Sequence, residues 1–194
     1  MTQNSEHYPR VIKSFNSSSL NITTSRSFNT LVLIGLAMAV LVDIAWLLLI
    51  LSYLSILVVH ELGHAWMAAR CGVKGRGIEL RVLHGCFYYD PPETAFEDAM
   101  IAWGGVMAQA MIFVPAIALF HLFADALPGA VNLALLVLGY LNLMMAIFNL
   151  TPVAPLDGSK CWRAIPLHLR YSRGAAVKPV GKAKGRSVVP FRRS

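Results

Sequence analysis

The sequence predicts an all-α membrane protein of about four transmembrane helices, with a small β-hairpin after one of them. Three observations point there. Of 194 residues, 56% are hydrophobic and only 14% charged, whereas soluble domains carry roughly a quarter charged residues. The apolar residues collect in three nearly uncharged blocks, 31–59, 99–123 and 131–150, each long enough for the about 20 residues that a hydrocarbon core demands of a helix. Every Lys and Arg lies before Phe28, between Arg70 and Arg81, or from Lys160 onward. Cationic loops are retained on the cytoplasmic side, so the net charge of +7 has a topological cause, and no nucleic-acid partner is expected.

Taken in order, residues 1–30 are polar and rich in Ser, Asn and Thr. They read as a disordered tail, unlike the short charged start of a secretory signal. Residues 31–170 read as the core. As one helix, 31–69 would run about 58 Å, too long for a single span at ordinary tilt. A hairpin with its turn near Leu51 to Ser55 is expected, although no Gly or Pro lies between Leu36 and Leu62 to announce it. Four spans then put all three basic segments on one side. The alternative is a single span preceded by an interfacial segment. From Val73 to Tyr89, Ile78, Leu80 and Val82 alternate with Glu79 and Arg81, the period of a strand pair. Two further spans follow, and residues 171–194 read as a basic disordered tail near an anionic membrane surface. Cys71, Cys86 and Cys161 lack paired metal-ligand spacing and read as reduced, structural thiols.

The sharpest chemical signal is His60-Glu61-Leu62-Gly63-His64. Residues four apart share a helix face, so both imidazoles can meet one metal ion, and zinc takes such neutral nitrogen ligands. Zinc lowers the pKa of a water to about 7, and Glu61, offset by about 100°, is placed to draw off that proton. Two His and a Glu at the end of an apolar span are costly without a partner, and a metal is such a partner. A catalytic zinc site needs a third protein ligand. Asp157 is the candidate, on a stretch where Pro152, Pro155 and Gly158 prevent a regular helix. Irregular backbone at membrane depth persists where it is buried by protein or lines a wet cavity. The competing reading makes Asp157 the cap of a short helix at Ser159 to Ile165.

Together these motifs resemble the site-2 protease family of intramembrane zinc metalloproteases, whose pattern is H-E-x-x-H in one span and N-x-x-P-x-x-x-L-D-G near the end of a later one. Both are complete here, from His60 to His64 and in Asn149, Pro152, Leu156, Asp157 and Gly158; the resemblance covers roughly Ile50 to Pro166. It implies that His60, His64 and Asp157 bind Zn2+, that Glu61 activates water for peptide hydrolysis, and that Asn149 is an accessory residue. Many relatives carry G-P-x-x-N in the middle span, where this chain reads Gly105-Val106-Met107-Ala108-Gln109. Gln109 can still offer an amide to a substrate backbone, with Gly105 beside it. The family's regulatory domains are not expected within this length. Strands placed like Val73 to Tyr89 can lie beside the site in the family, and an exposed edge could hold an unwound substrate by main-chain hydrogen bonds. On that reading, Val82→Pro cripples cleavage and spares zinc.

The resulting expectation is a multi-pass enzyme of the plasma (inner) membrane. Its site faces the cytoplasmic side, and its partners are the lipid bilayer and a membrane-embedded protein substrate. A metal-binding membrane protein without hydrolysis, such as a transporter, is the alternative, but one compact polar cluster and no internal repeat disfavour it. A silent scaffold would have no need of Glu61. Asp43 is expensive in mid-span and reads as interior-facing, protonated or marking a turn. His84, His121 and His168 read as structural or solvated. Asn142 and Asn149, seven apart, share a helix face and either line one polar cavity or bond between helices. Gly104 and Gly105 most simply allow close helix packing.

Overall fold

The computed structural model describes residues 21–82 and 84–172. Its first helices are α1 (Arg26–Leu41) and α2 (Ala45–Arg70), an antiparallel hairpin in which Gly35 faces Ile50 and Phe28 packs near Leu57. The hairpin is present, but its turn falls at Val42–Ile44 rather than near Leu51 to Ser55. The cause is Asp43, whose Oδ1 accepts from the Ala45 amide at 2.7 Å. A carboxylate satisfies an otherwise orphaned amide at the start of α2, and no Gly or Pro is needed. Asp43 therefore marks the turn.

Where a disordered tail was expected up to residue 30, β1 (Asn21–Thr24) and the first turn of α1 are formed. Ser25 caps α1 by accepting from the Phe28 amide. β1 pairs in parallel with β2 (Gly75–Leu80), which pairs antiparallel with β3 (Gly85–Tyr89). The expected hairpin thus sits in a three-stranded sheet of order β1-β2-β3. Ile78 and Leu80 of β2 pack on Phe28 and Leu57, which fixes the sheet to the end of the α1–α2 hairpin. The earlier part of the N-terminal tail and the C-terminal tail beyond residue 172 lie outside the described residues.

Helix α3 (Ala95–Phe123) opens with a capping box: the Glu97 amide donates to Thr94 Oγ1 and the Thr94 amide to Glu97 Oε2, which satisfies two orphan donors at once. It crosses α2 where Gly63 and Gly104 bring the backbones together; a Cβ on either would strike the other's carbonyl. After a short turn, α4 (Gly129–Leu136) and α5 (Asn142–Asn149) form one span with a π-helical turn, Val137–Leu141, between them. In that turn Gly139 lies against Ile117 of α3. Two short helices follow, α6 (Gly158–Cys161) and α7 (Ala164–Ser172), in place of the single one expected at Ser159 to Ile165.

Three helices, Ala45–Arg70, Ala95–Ala126 and Gly129–Asn149, are long and apolar enough to cross a membrane. The shorter apolar α1 has 16 residues, about 24 Å by helical rise against a core of about 30 Å. Among the described residues every Lys and Arg falls at the end of the bundle that carries the sheet, the start of α3 and α6. The opposite turns carry Asp43 and Asp125 and no cation.

Candidate metal centre

His60 and His64 stand one turn apart on the buried face of α2, with Glu61 only 3% exposed between them. By helical rise they lie about 10–15 Å from the C-terminal end of that span, so the site is set inside the bundle. Asp157 reaches them because the chain after α5 doubles back on itself. Gly158 approaches Leu150 and Thr151 so closely that a Cβ would collide with both of their carbonyl oxygens. Two indoles pin the returning segment: Trp162 Nε1 donates to Leu150 O at 2.7 Å and Trp103 Nε1 of α3 to Cys161 O at 3.0 Å. Lys160 adds a third tether, with Nζ 2.9 Å from the Tyr89 hydroxyl and 3.1 Å from Asp98 Oδ1.

Asp157 stands at the N-cap position just before α6, yet its side chain makes no capping bond. Its Oδ2 lies instead 3.1 Å from His60 Nε2 and 3.2 Å from His64 Nε2, and the two Nε2 atoms are 3.0 Å apart.

The far side of each ring decides what the near side can do. His64 Nδ1 is 2.8 Å from Ile101 O. A carbonyl only accepts, so Nδ1 carries a proton, and in the neutral tautomer so fixed the lone pair is on Nε2. His60 Nδ1 is 3.0 Å from Gln109 Oε1, with the same consequence. Two bare nitrogens and a carboxylate oxygen thus converge within 3.2 Å of one another, an arrangement of three acceptors that calls for a cation among them. Ligand distances of about 2.0–2.1 Å in a tetrahedral zinc site place ligand atoms about 3.3–3.4 Å apart, a few tenths wider than this triangle. The three residues fit zinc.

Of the residues singled out in the sequence, His60, Glu61, His64, Asp157, Gly105 and Gln109 meet here. Gly105 is the floor of the site: a Cβ on it would lie 2.6 Å from His60 Cε1 and 2.6 Å from His64 Nε2. Of the pair Gly104 and Gly105, only Gly104 meets the backbone of the facing helix. Gln109 is wholly enclosed and its Oε1 faces His60, not an open groove. Asn142 is equally enclosed and donates to Gln109 O at 3.3 Å. Asn149 ends α5 half-buried, and its side chain has no hydrogen-bond partner among the described residues. His84 is exposed in the β2–β3 turn, His121 Nε2 pairs with the Tyr140 hydroxyl at 2.6 Å, and His168 stacks on Phe96. Ile101 O and the tethers from Trp103, Trp162 and Lys160 escaped the sequence reading; the only signal was the four-residue spacing of 101, 105 and 109 beside that of 60 and 64.

No protein-family model matches the chain. It is 32% identical over 125 residues to a zinc metalloprotease of Methanocaldococcus jannaschii, an alignment covering 63% of this chain and 35% of the relative. It is 32% identical over 146 residues to the putative zinc metalloprotease Rip3 of Mycobacterium tuberculosis, covering 70% and 35%. A putative zinc metalloprotease of Synechocystis is 28% identical over 124 residues, covering 62% and 32%. The chain therefore spans about a third of the length of the curated relatives it matches. Among solved structures it is similar to the site-2 protease from Methanocaldococcus jannaschii, with a TM-score of 0.58 and 27% identity over 82% of this chain and 73% of that one. A common fold over four-fifths of its length, joined to sequence similarity to zinc metalloproteases and putative zinc metalloproteases of three organisms, makes this integral membrane chain similar to the site-2 proteases.

Proposed function

We propose that the chain is an intramembrane zinc metalloprotease that hydrolyses peptide bonds in or near transmembrane segments of membrane-protein substrates. His60, His64 and Asp157 hold the metal and Glu61 is the catalytic residue. The convergence of three proton-free ligand atoms beside the buried Glu61 carries this reading.

Zinc, when bound, supplies a Lewis acid that lowers the pKa of water to about 7 and polarises a carbonyl. The chain's own residues do the rest. Glu61 accepts a proton from the attacking water and returns it to the leaving amine, and its neighbours on α2 keep it within reach of the ligand face. Enclosure by α2, α3 and the returning 150–157 segment limits bulk water, so charges that develop there are poorly screened.

A helical substrate hides its peptide bonds, and an extended one needs main-chain partners. β3 is an edge strand with no partner on its outer side among the described residues. Its first residue, Gly85, lies against the Glu61 side chain. A peptide paired to β3 would therefore pass the base in extended form. Val82 is not on that edge: it lies in the turn, where its carbonyl accepts from the Tyr53 hydroxyl. Val82→Pro thus perturbs the turn and does not test pairing. The clustering of cations at the site's end of the bundle supports a site toward the cytoplasmic side of the plasma membrane. Asn149, at the head of the returning segment, is an accessory residue on this reading, and residues 31–170 are the catalytic core.

The test is Glu61→Gln beside the native chain, purified in detergent. One zinc per chain in both, with cleavage of a transmembrane substrate by the native form only, is the expected result. Absence of zinc from both would refute the proposal.

A further inference from the structure

We infer that Gln109 is a positioning residue for the metal centre, fixing the tautomer and orientation of His60 through Nδ1 and touching no substrate. This rests on the zinc-centre reading above. Gln109 is 0% exposed, so a substrate chain has no access to its amide. Its Oε1 lies 3.0 Å from His60 Nδ1. With the oxygen there, Nδ1 donates and Nε2 keeps its lone pair for the metal. With the amide nitrogen there, Nδ1 would have to accept, and the ring proton would move to Nε2, into the space between His64 and Asp157.

Three features of the surroundings fit this role. Asn142, also fully buried, donates from Nδ2 to Gln109 O at 3.3 Å and ties this turn of α3 to α5. Gly105, one turn earlier, leaves the His60 and His64 rings room to approach α3. Ile101 O, two turns earlier, does for His64 Nδ1 what Gln109 does for His60, at 2.8 Å. Positions 101, 105 and 109 are four apart on α3, as 60 and 64 are on the antiparallel α2, so one stripe of α3 serves both rings. Gln109 Nε2 has no partner among the described residues. A side chain kept for packing alone would gain by losing that buried donor; the acceptor oxygen explains why an amide is tolerated at this depth.

The experiment measures zinc affinity by chelator competition on the full chain in detergent, for native protein, Gln109→Leu and Gln109→Glu. The leucine variant fills the space without an acceptor and should bind zinc about 10–100-fold more weakly. The glutamate variant restores the acceptor and should bind as tightly as native or tighter. Leucine within threefold of native would overturn the inference, and so would a glutamate variant as weak as leucine, since packing alone would then be at stake. Should the leucine variant fail to fold, Gln109→Met supplies the same comparison. Absence of zinc from the native chain would overturn the metal-centre reading itself, a different result from equal binding by all forms.

Discussion

A single methyl group at Gly105 separates the metal centre from the fold that carries it. In Gly105→Ala the new Cβ would sit 2.6 Å from His60 Cε1, 2.6 Å from His64 Nε2 and 2.7 Å from His64 Cε1. Carbon contacts are comfortable at about 3.5–4.0 Å, so the rings must retreat by about 1 Å. Their Nδ1 atoms are held by Gln109 and Ile101, and a zinc ligand tolerates about 0.2 Å. The expected loss of zinc affinity is at least about 100-fold, or about 2.8 kcal/mol. The helix itself should gain, because Ala is better than Gly in a helix interior by about 0.8–1 kcal/mol. Gly104→Ala makes the opposite case, since its Cβ meets the Gly63 carbonyl of the facing helix and the bundle must part. Chelator competition reads the affinity, and thermal unfolding of EDTA-stripped protein reads the fold. Gly105→Ala should lose zinc yet unfold at the native temperature or above, whereas Gly104→Ala should unfold earlier with no metal present. Native-like zinc binding by Gly105→Ala would refute the geometry on which the site rests.

Other expectations follow from neighbouring contacts. In Gly85→Ala the added methyl would overlap the Glu61 side chain, so turnover should fall more than about tenfold with zinc binding kept; unchanged turnover would place the sheet away from the base. Burial lifts the Cys161 thiol to about 12 and the Cys71 thiol to about 11. At pH 7 their thiolate fractions are then about 10⁻⁵ and 10⁻⁴. Maleimide labelling followed by mass spectrometry should find both far slower than free cysteine, quickening about tenfold per pH unit; labelling of Cys161 at the rate of free cysteine would contradict its enclosure. Lys160→Met removes a tether that is 41% exposed on its lysine side, so the cost should be only about 0.5–1 kcal/mol. Burial alone would lower the Lys160 pKa, but the Tyr89 hydroxyl and Asp98 outweigh it and raise it above 10.5. That stabilisation is present below pH 10.5 and is lost as pH rises through the higher folded value. The stability gap between native and Lys160→Met should therefore close in strongly alkaline solution; a constant gap would mean that the ion pair contributes nothing.

The parts of this molecule that could be read from the sequence are those with a short period or a short motif. Apolar runs of span length, the i, i+4 pair of histidines and the alternation across 78–80 are local patterns, and each recurs in the structure as a helix, a shared face or a strand, whereas Arg81 and Val82 fall beyond the end of β2. The turn at Val42–Ile44 was missed because a capping carboxylate leaves no Gly or Pro behind. β1 was missed because Asn-Ile-Thr-Thr is polar on its face, and its partner β2 is more than fifty residues away. The approach of Asp157 was suggested by prolines and a glycine. What holds it there, two tryptophans and a lysine reaching α3, α5 and β3, has no local signature. Gln109 was visible as a polar residue in an apolar span, but which neighbour it faces is decided by the crossing of α2 and α3, and helical periodicity alone does not supply that.

Helix α3 donates no candidate ligand, yet all three take their bearings from it: His60 from Gln109, His64 from Ile101 O, and Asp157 through the Trp103 and Asp98 tethers to α6. It works as a camshaft works, driving parts it does not carry. A group about 5 Å from a helix axis moves almost 1 Å when the helix rolls by about 10°, more than the roughly 0.5 Å that a catalytic constellation tolerates. Anything that rolls α3 within the bundle, whether a lipid, a neighbouring span or an arriving substrate, therefore acts on every ligand together, so the centre assembles or comes apart as one unit.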